Sequence, residues 1–346
     1  MAAVVYFTYT PGIFEHLKVK RLPGLVIALI VSFMRVWFMA ARFRVLSEDK
    51  LSWMASIRIV LSWDFTSSVT PSTIGGAPMA TYAMTKEGVK LGKSSAIILY
   101  GVLLDQIWFS IAIPILFISS FFVAVLPQNI GWAGESVVVL IFIGILSYAS
   151  LLAYAVLRNP AALKKVVLAV FKLPVLRKWY GSILRESDNL ESYSRELGGK
   201  PRSFIAKAFG LTVLTWLSRI WLPTIVVLSL LPADVLLSLL RSLAMNLTFL
   251  VMPTPGGSGG VEGLFAIFQG PLIERKGFIG LAVFLWRVIS YYITIGLGMM
   301  ATMWYINQKI VDINQDKSNS KEQSLGQDQK KEHPVSTDGS AHKVYE

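Results

Sequence analysis

Pro253-Thr254-Pro255-Gly256-Gly257-Ser258-Gly259-Gly260-Val261-Glu262 lies between two long apolar stretches. Prolines remove backbone donors and glycines favour non-helical backbone, so no regular helix runs through it. In hydrocarbon, broken backbone persists only where protein or a wet cavity satisfies its polar groups, and such places are binding sites in many transporters. The stretch therefore predicts a broken helix inside a membrane protein, close to whatever that protein binds.

Composition agrees. Hydrophobic residues make up 54% of the 346-residue chain and charged residues only 16%, far more apolar sequence than one soluble core needs. Windows long enough to span run at 23–41, 52–71, 95–123, 132–157, 204–231, 233–252 and 277–305, each near or above the ~20 residues a bilayer requires. Two shorter apolar pieces, 72–88 and 259–273, read as half-helices or re-entrant segments. The chain is expected to be an all-α polytopic membrane protein. It would have about seven to eight transmembrane helices, two of them broken or re-entrant.

Charge placement gives an orientation. Between Arg158 and Lys207 stand eleven basic residues against four acidic ones, so this loop is expected in the cytoplasm, as are the turns carrying Arg42, Arg44 and Lys50 and Lys86, Lys90 and Lys93. The net charge of +12 is read as orientation and attraction to anionic lipid, with nucleic acid excluded as a partner. The sequence divides into an N-terminal segment 1–22, a first membrane half 23–157 with a break at 71–78, and a basic loop 158–203. A second half 204–307 follows, with its break at 253–260, and then a polar tail 308–346 expected to be disordered and cytoplasmic. Within the basic loop, Ala161 to Phe171 mixes apolar and Lys positions as an interfacial helix does. The chain has no cysteine, and His16, His333 and His342 all lie outside the spans. No metal and no cofactor are expected.

A shift of 182 positions brings Pro71 onto Pro253, Gly75 onto Gly257, Thr66 onto Thr248, Asp64 onto Asn246 and Asp105 onto Arg287. Each half reads as a polar-centred span, a Pro/Gly break, a short apolar piece and a long charged span. With the 158–203 loop inside, the halves run in opposite directions. They form an inverted repeat, whose binding site belongs near the midplane between the breaks. Ser72 or Thr73 and Ser258 are expected to cap short helices whose N-termini face an anion there.

Ionisable residues within the spans are the second signal, because each costs several kcal/mol in hydrocarbon unless paired or hydrated. Arg35, Arg58, Asp64, Asp105, Arg219, Arg241, Glu262 and Arg287 qualify, with Asn246 as a neutral companion. Five cations against three anions leave a positive surplus. Arg58, Arg241 and Arg287 are the expected phosphate partners, and Arg35 is read as snorkelling or packing. The substrate-binding candidates are Arg58, Asp64, Gly75, Gly76, Asp105, Arg241, Asn246, Pro255, Gly256, Gly257, Ser258, Glu262 and Arg287. Asp105 and Arg287, equivalent under the shift, are expected to face one cavity and to interact directly or through water.

The 253–262 stretch resembles the Pro-Gly-Gly-x-Gly-x-x-Glu signature of the lysylphosphatidylglycerol synthase transmembrane-region family, also called flippase-like. Pro71-Ser72-Thr73-Ile74-Gly75-Gly76 with Tyr82, Gly88 and Asp105 resembles the family's first block, and Arg42-Phe43-Arg44-Val45-Leu46 its early basic sequence. The likeness covers roughly 20–305. It implies a domain that moves lipid between leaflets, with a membrane lipid of anionic or aminoacylated headgroup as substrate and a separate lipid-modifying enzyme as partner. Only about 40 polar residues follow the last span, so lysyl transfer is not expected. Gly75-Gly76-Ala77-Pro78 and Thr81-Tyr82 depart from the acidic residue and Arg of the family's first block, so headgroup recognition does not carry over. The leading reading is a lipid flippase. Its alternatives are a membrane enzyme acting on a lipid phosphate, with Asp105 and Glu262 as acid and base, and an ion-coupled carrier of a small anion. No phosphate-binding loop for ATP is present.

Overall fold

Helices start where side chains can cap them. Ser52 Oγ accepts from Ala55 N at 3.1 Å and Asp234 Oδ1 from Leu237 N at 2.8 Å, which satisfies one orphan donor at each N-terminus. The structure is a computed structural model, and it describes residues 22–70, 75–127, 131–154, 192–193, 195–250, 255–273 and 277–308. The N-terminal segment, Pro71 to Thr73, Pro253, most of the 158–203 loop with its interfacial helix, and the tail after Gln308 lie outside the described residues.

All regular structure described is helical: α1 Leu22–Leu46, α2 Trp53–Val69, α3 Gly76–Lys86, α4 Leu91–Ser120, α5 Gly131–Ala153, α6 Arg202–Leu230, α7 Val235–Phe249 and α8 Gly260–Gln269. The ninth, α9, begins at Gly277, passes through a π-helical turn at Val288–Tyr292 and ends at Gln308. Every window read as a span holds a helix. Four of these, α1, α4, α6 and α9, are long and apolar enough to cross a membrane. The 17 residues of α2 and 15 of α7 give lengths of only about 25 and 22 Å, short of the ~30 Å hydrocarbon core. Each ends at a Pro/Gly break and is followed by a short helix, so neither crosses the full hydrocarbon thickness as one regular helix.

The repeat is visible in these bounds. Shifting α1 to α4 by 182 positions lays them over α6 to α9 in order, and the capping residues Ser52 and Asp234 coincide. The equivalent first helices are antiparallel. Gly24, at the start of α1, abuts Ser229 near the end of α6, while Arg42, near the end of α1, donates from Nη1 to Thr212 Oγ1 at 3.2 Å, in the first half of α6. Antiparallel packing of equivalent helices is the arrangement an inverted repeat requires.

Apolar side chains outside the core line the surface. Val26, Ile30, Phe33 and Trp37 of α1 and Val139, Leu140 and Ile143 of α5 are exposed, an arrangement suited to lipid and costly in water. At one end of the bundle Glu48 accepts from Lys93 Nζ at 2.7 Å and Lys200 Nζ at 2.8 Å. Lys200 first, then Lys93, hold its carboxyl at about 2, well below the usual range. These bridges gather the end of α1 and the starts of α4 and α6 at one face.

Candidate functional site

Between the two repeats lies a cavity of about 200 Å³. Arg35 of α1, Arg219 of α6 and Tyr291 of α9 stand on its wall, each near the middle of its helix, so the site is at mid-depth. The walls repeat. Trp63, Asp64, Ser67 and Ser68 of α2 line it, and so do Met245, Asn246, Phe249 and Leu250, their counterparts under the 182 shift. Four sequence-equivalent pairs thus border one space.

Helical irregularity concentrates at this space. The π turn of α9 contributes Ser290 and Tyr291 to the wall, and Ser32 Oγ donates to the Ile289 carbonyl within that turn at 3.0 Å. Pro223 sits inside α6 and has no N–H to give the carbonyl four residues back, which is that of Arg219. Such π turns and prolines collect at functional positions in helices.

The charges form two closed pairs and one open cation. Arg35 Nη2 bonds Asp64 Oδ2, with the side chains 5% and 14% exposed. Arg287 Nε donates to Glu262 Oε1 at 3.0 Å and Nη2 to the Gly256 carbonyl at 3.4 Å, and its guanidinium lies 4.5 Å from the Tyr291 ring centroid. Arg219 is partly buried and packs 5.2 Å from the Trp216 ring. It has no ion pair or hydrogen bond among the described residues. Among the described residues, Arg35, Arg219 and Arg287 set against Asp64 and Glu262 leave one net positive charge at the site.

The second break is built from backbone. Gly256, Gly257 and Gly259 have φ of 57°, 68° and 87°, a left-handed region that costs an L side chain roughly 1–2 kcal/mol. Pro255 opens the 3₁₀ turn Pro255–Gly257, and Gly256 faces the cavity beside Tyr291. The expected cap is corrected here. Ser258 is exposed, the N-cap of α8 is Gly259, and its N–H donates 2.7 Å to Glu262 Oε2. Glu262 thus sits on the helix terminus as a built-in anion. In the first break Thr70 Oγ1 accepts from Gly75 N at 2.9 Å, and Gly76 packs against Trp63 and Ser67.

Of the candidates, Asp64, Asn246, Gly256 and Arg287 line this cavity, while Glu262 and Gly257 support it from behind. Arg58, Asp105 and Arg241 do not line it, and each has a local partner. Arg58 bonds Glu87 at 2.8 Å, and Arg241 donates to the carbonyls of Ala124, Val125 and Phe268. Asp105 accepts from Arg42 at 2.7 Å and from Trp216 Nε1 at 2.9 Å. The expected contact between Asp105 and Arg287 is therefore overturned. The reason is local: Glu262, one helix turn from the break, reaches Arg287, whereas its counterpart in the first repeat is Ala80, and Asp105 turns to Arg42 instead. Arg35, read as snorkelling or packing against a neighbour, is 5% exposed, bonded to Asp64 and on the wall. Arg219, not chosen as a phosphate partner, is the open cation. A signal for both existed, since Arg35 shifted by 182 falls two residues from Arg219.

The 253–262 stretch that forms this break lies within residues 3–298, which match the sequence profile described as lysylphosphatidylglycerol synthase TM region. The chain belongs to that family. A UPF0104 membrane protein of Archaeoglobus fulgidus is 26% identical over 311 residues, a match that covers 86% of this chain and 92% of that protein. No solved structure matches the chain. For this member of the family, the geometry above locates the Pro/Gly motif beside a charged mid-depth cavity.

Proposed function

We propose that this family member moves a phospholipid, or another lipid with an anionic or amino-modified headgroup, between leaflets through the central cavity. The observation that carries the reading is a cation-rich cavity at mid-depth between two antiparallel repeats. A charged headgroup pays heavily to cross hydrocarbon unaided, and a polar site halfway lowers that barrier. Two inverted halves give such a site a symmetric way to open to either side. The charge pattern favours the orientation with the 158–203 loop and the tail in the cytoplasm of a cell membrane.

Reconstitution tests this. Protein in liposomes should accelerate the loss of headgroup-labelled lipid from the protected inner leaflet by about tenfold or more over empty liposomes, with no new lipid in the mass spectrum. Rates equal to those of empty liposomes would refute the transport reading. A new lipid product would favour the enzyme.

A further inference from the structure

We infer that the cavity selects a singly charged phosphodiester that carries no amine, and that Arg219 is the residue that holds it. This rests on the transport reading for the ligand being a lipid, while recognition itself can be measured by binding alone.

Arg35 with Asp64, and Arg287 with Glu262, are each neutral as pairs and held by direct bonds. Arg219 faces the same space with no carboxylate bonded to it among the described residues: Asp64 and Asp105 reach it only through their fields, and each is bonded to another arginine. A lone cation at mid-depth is costly to the protein, and an anion that binds beside it relieves that cost. A guanidinium presents two parallel N–H donors that match the two non-bridging oxygens of a phosphodiester. One such group, at one negative charge, brings the site to neutrality. A phosphomonoester at about two negative charges overshoots it.

An amine on the headgroup finds no unpaired carboxylate on the described wall. Asp64 is the one carboxylate on the described wall, and Arg35 already occupies it. Asn246, the counterpart of Asp64, is neutral and spends Nδ2 on the Ser242 carbonyl at 2.8 Å. Arg219 repels a second cation at close range. The site therefore discriminates against zwitterionic and aminoacylated headgroups.

Dissociation constants for detergent-solubilised full-length protein would be read from the ligand-dependent shift in thermal unfolding. The probes are dihexanoyl forms of phosphatidylglycerol, phosphatidylethanolamine, lysylphosphatidylglycerol and phosphatidic acid, with glycerophosphoglycerol as the free diester. Phosphatidylglycerol should bind about tenfold or more tightly than either amine-bearing lipid, and glycerophosphoglycerol should compete but more weakly. Arg219→Gln should weaken phosphatidylglycerol by about tenfold or more, with Arg219→Lys recovering part. Asp64→Asn raises the site by one positive charge and should turn its preference toward phosphatidic acid, a change that mere loss of structure does not produce. If Arg219→Gln does not fold, Asn246→Asp, which neutralises the site, should give the same loss.

Equal binding of phosphatidylglycerol and lysylphosphatidylglycerol, or an unchanged constant in Arg219→Gln, would overturn the inference. A free diester that binds as tightly as the lipid would overturn the lipid as ligand. Selective binding without flipping in liposomes would defeat the transport reading and leave the inference standing. Flipping without headgroup discrimination would do the reverse.

Discussion

Glu262→Ala is expected to destabilise the protein by about 3–5 kcal/mol, the cost of leaving one member of a buried pair alone. The Glu262 and Arg287 side chains are 3% and 4% exposed, so water cannot replace the lost carboxylate. The same substitution also removes the acceptor of the Gly259 N–H, which uncaps α8 at the break. Chemical unfolding in detergent measures it. The double variant Glu262→Ala with Arg287→Met should recover part of the loss, because no uncompensated charge then remains. A cost below about 1 kcal/mol for the single variant, the level of an exposed pair, would mean that the pair is hydrated and does not brace the cavity.

Gly257→Val should abolish transport and most folded yield. The backbone at Gly257 has φ 68°, and a Cβ there would lie 2.3 Å from Val261 Cγ2 and 2.4 Å from a ring carbon of Phe249. Both conflicts act together, since a β-branched side chain cannot turn away from its own Cβ. Gly259→Ala separates the two causes. Its φ of 87° and ψ of −52° lie in the strained γ-turn region, but nothing lies within 4 Å of the added Cβ, so it should cost only that backbone strain, about 1–3 kcal/mol. Size-exclusion yield and flip rate of the two variants check this; normal behaviour of Gly257→Val would show that the break adopts another conformation.

Much of the fold was legible because membrane helices obey few rules. Hydropathy located a helix in each of the seven windows, and the shift that aligned Pro71 with Pro253 also aligned the helix bounds. What hydropathy could not show is where a span stops short: 52–71 and 233–252 are both long enough to cross, yet α2 and α7 end at the breaks. The site was legible in part. Asp64, Asn246, Gly256 and Arg287 were singled out because polar groups and broken backbone are expensive in hydrocarbon, and all four line the cavity. Which charge faces which was not legible, because pairing depends on helix rotation. Asp105 and Arg287 are equivalent in sequence, but α4 turns Asp105 to Arg42 and Trp216 while α9 turns Arg287 to Glu262. Trp63 and Tyr291 were missed altogether, since aromatic residues in an apolar span give no signal until the wall they form is known.

The chain contains no cysteine, so one introduced thiol is chemically unique. Ser290 lines the cavity from the π turn of α9, and Ser290→Cys is nearly isosteric. The most direct test of the central claim is the flip rate of this variant in liposomes before and after reaction with a thiol-specific sulfonate reagent, with Leu140→Cys on the exposed face of α5 as control. The sulfonate fills part of the cavity and cancels its single positive charge. The account predicts that flipping falls about tenfold or more in modified Ser290→Cys, returns when a reductant releases the reagent, and is unaffected in Leu140→Cys. Undiminished flipping by fully modified Ser290→Cys would show that lipid does not pass through this cavity.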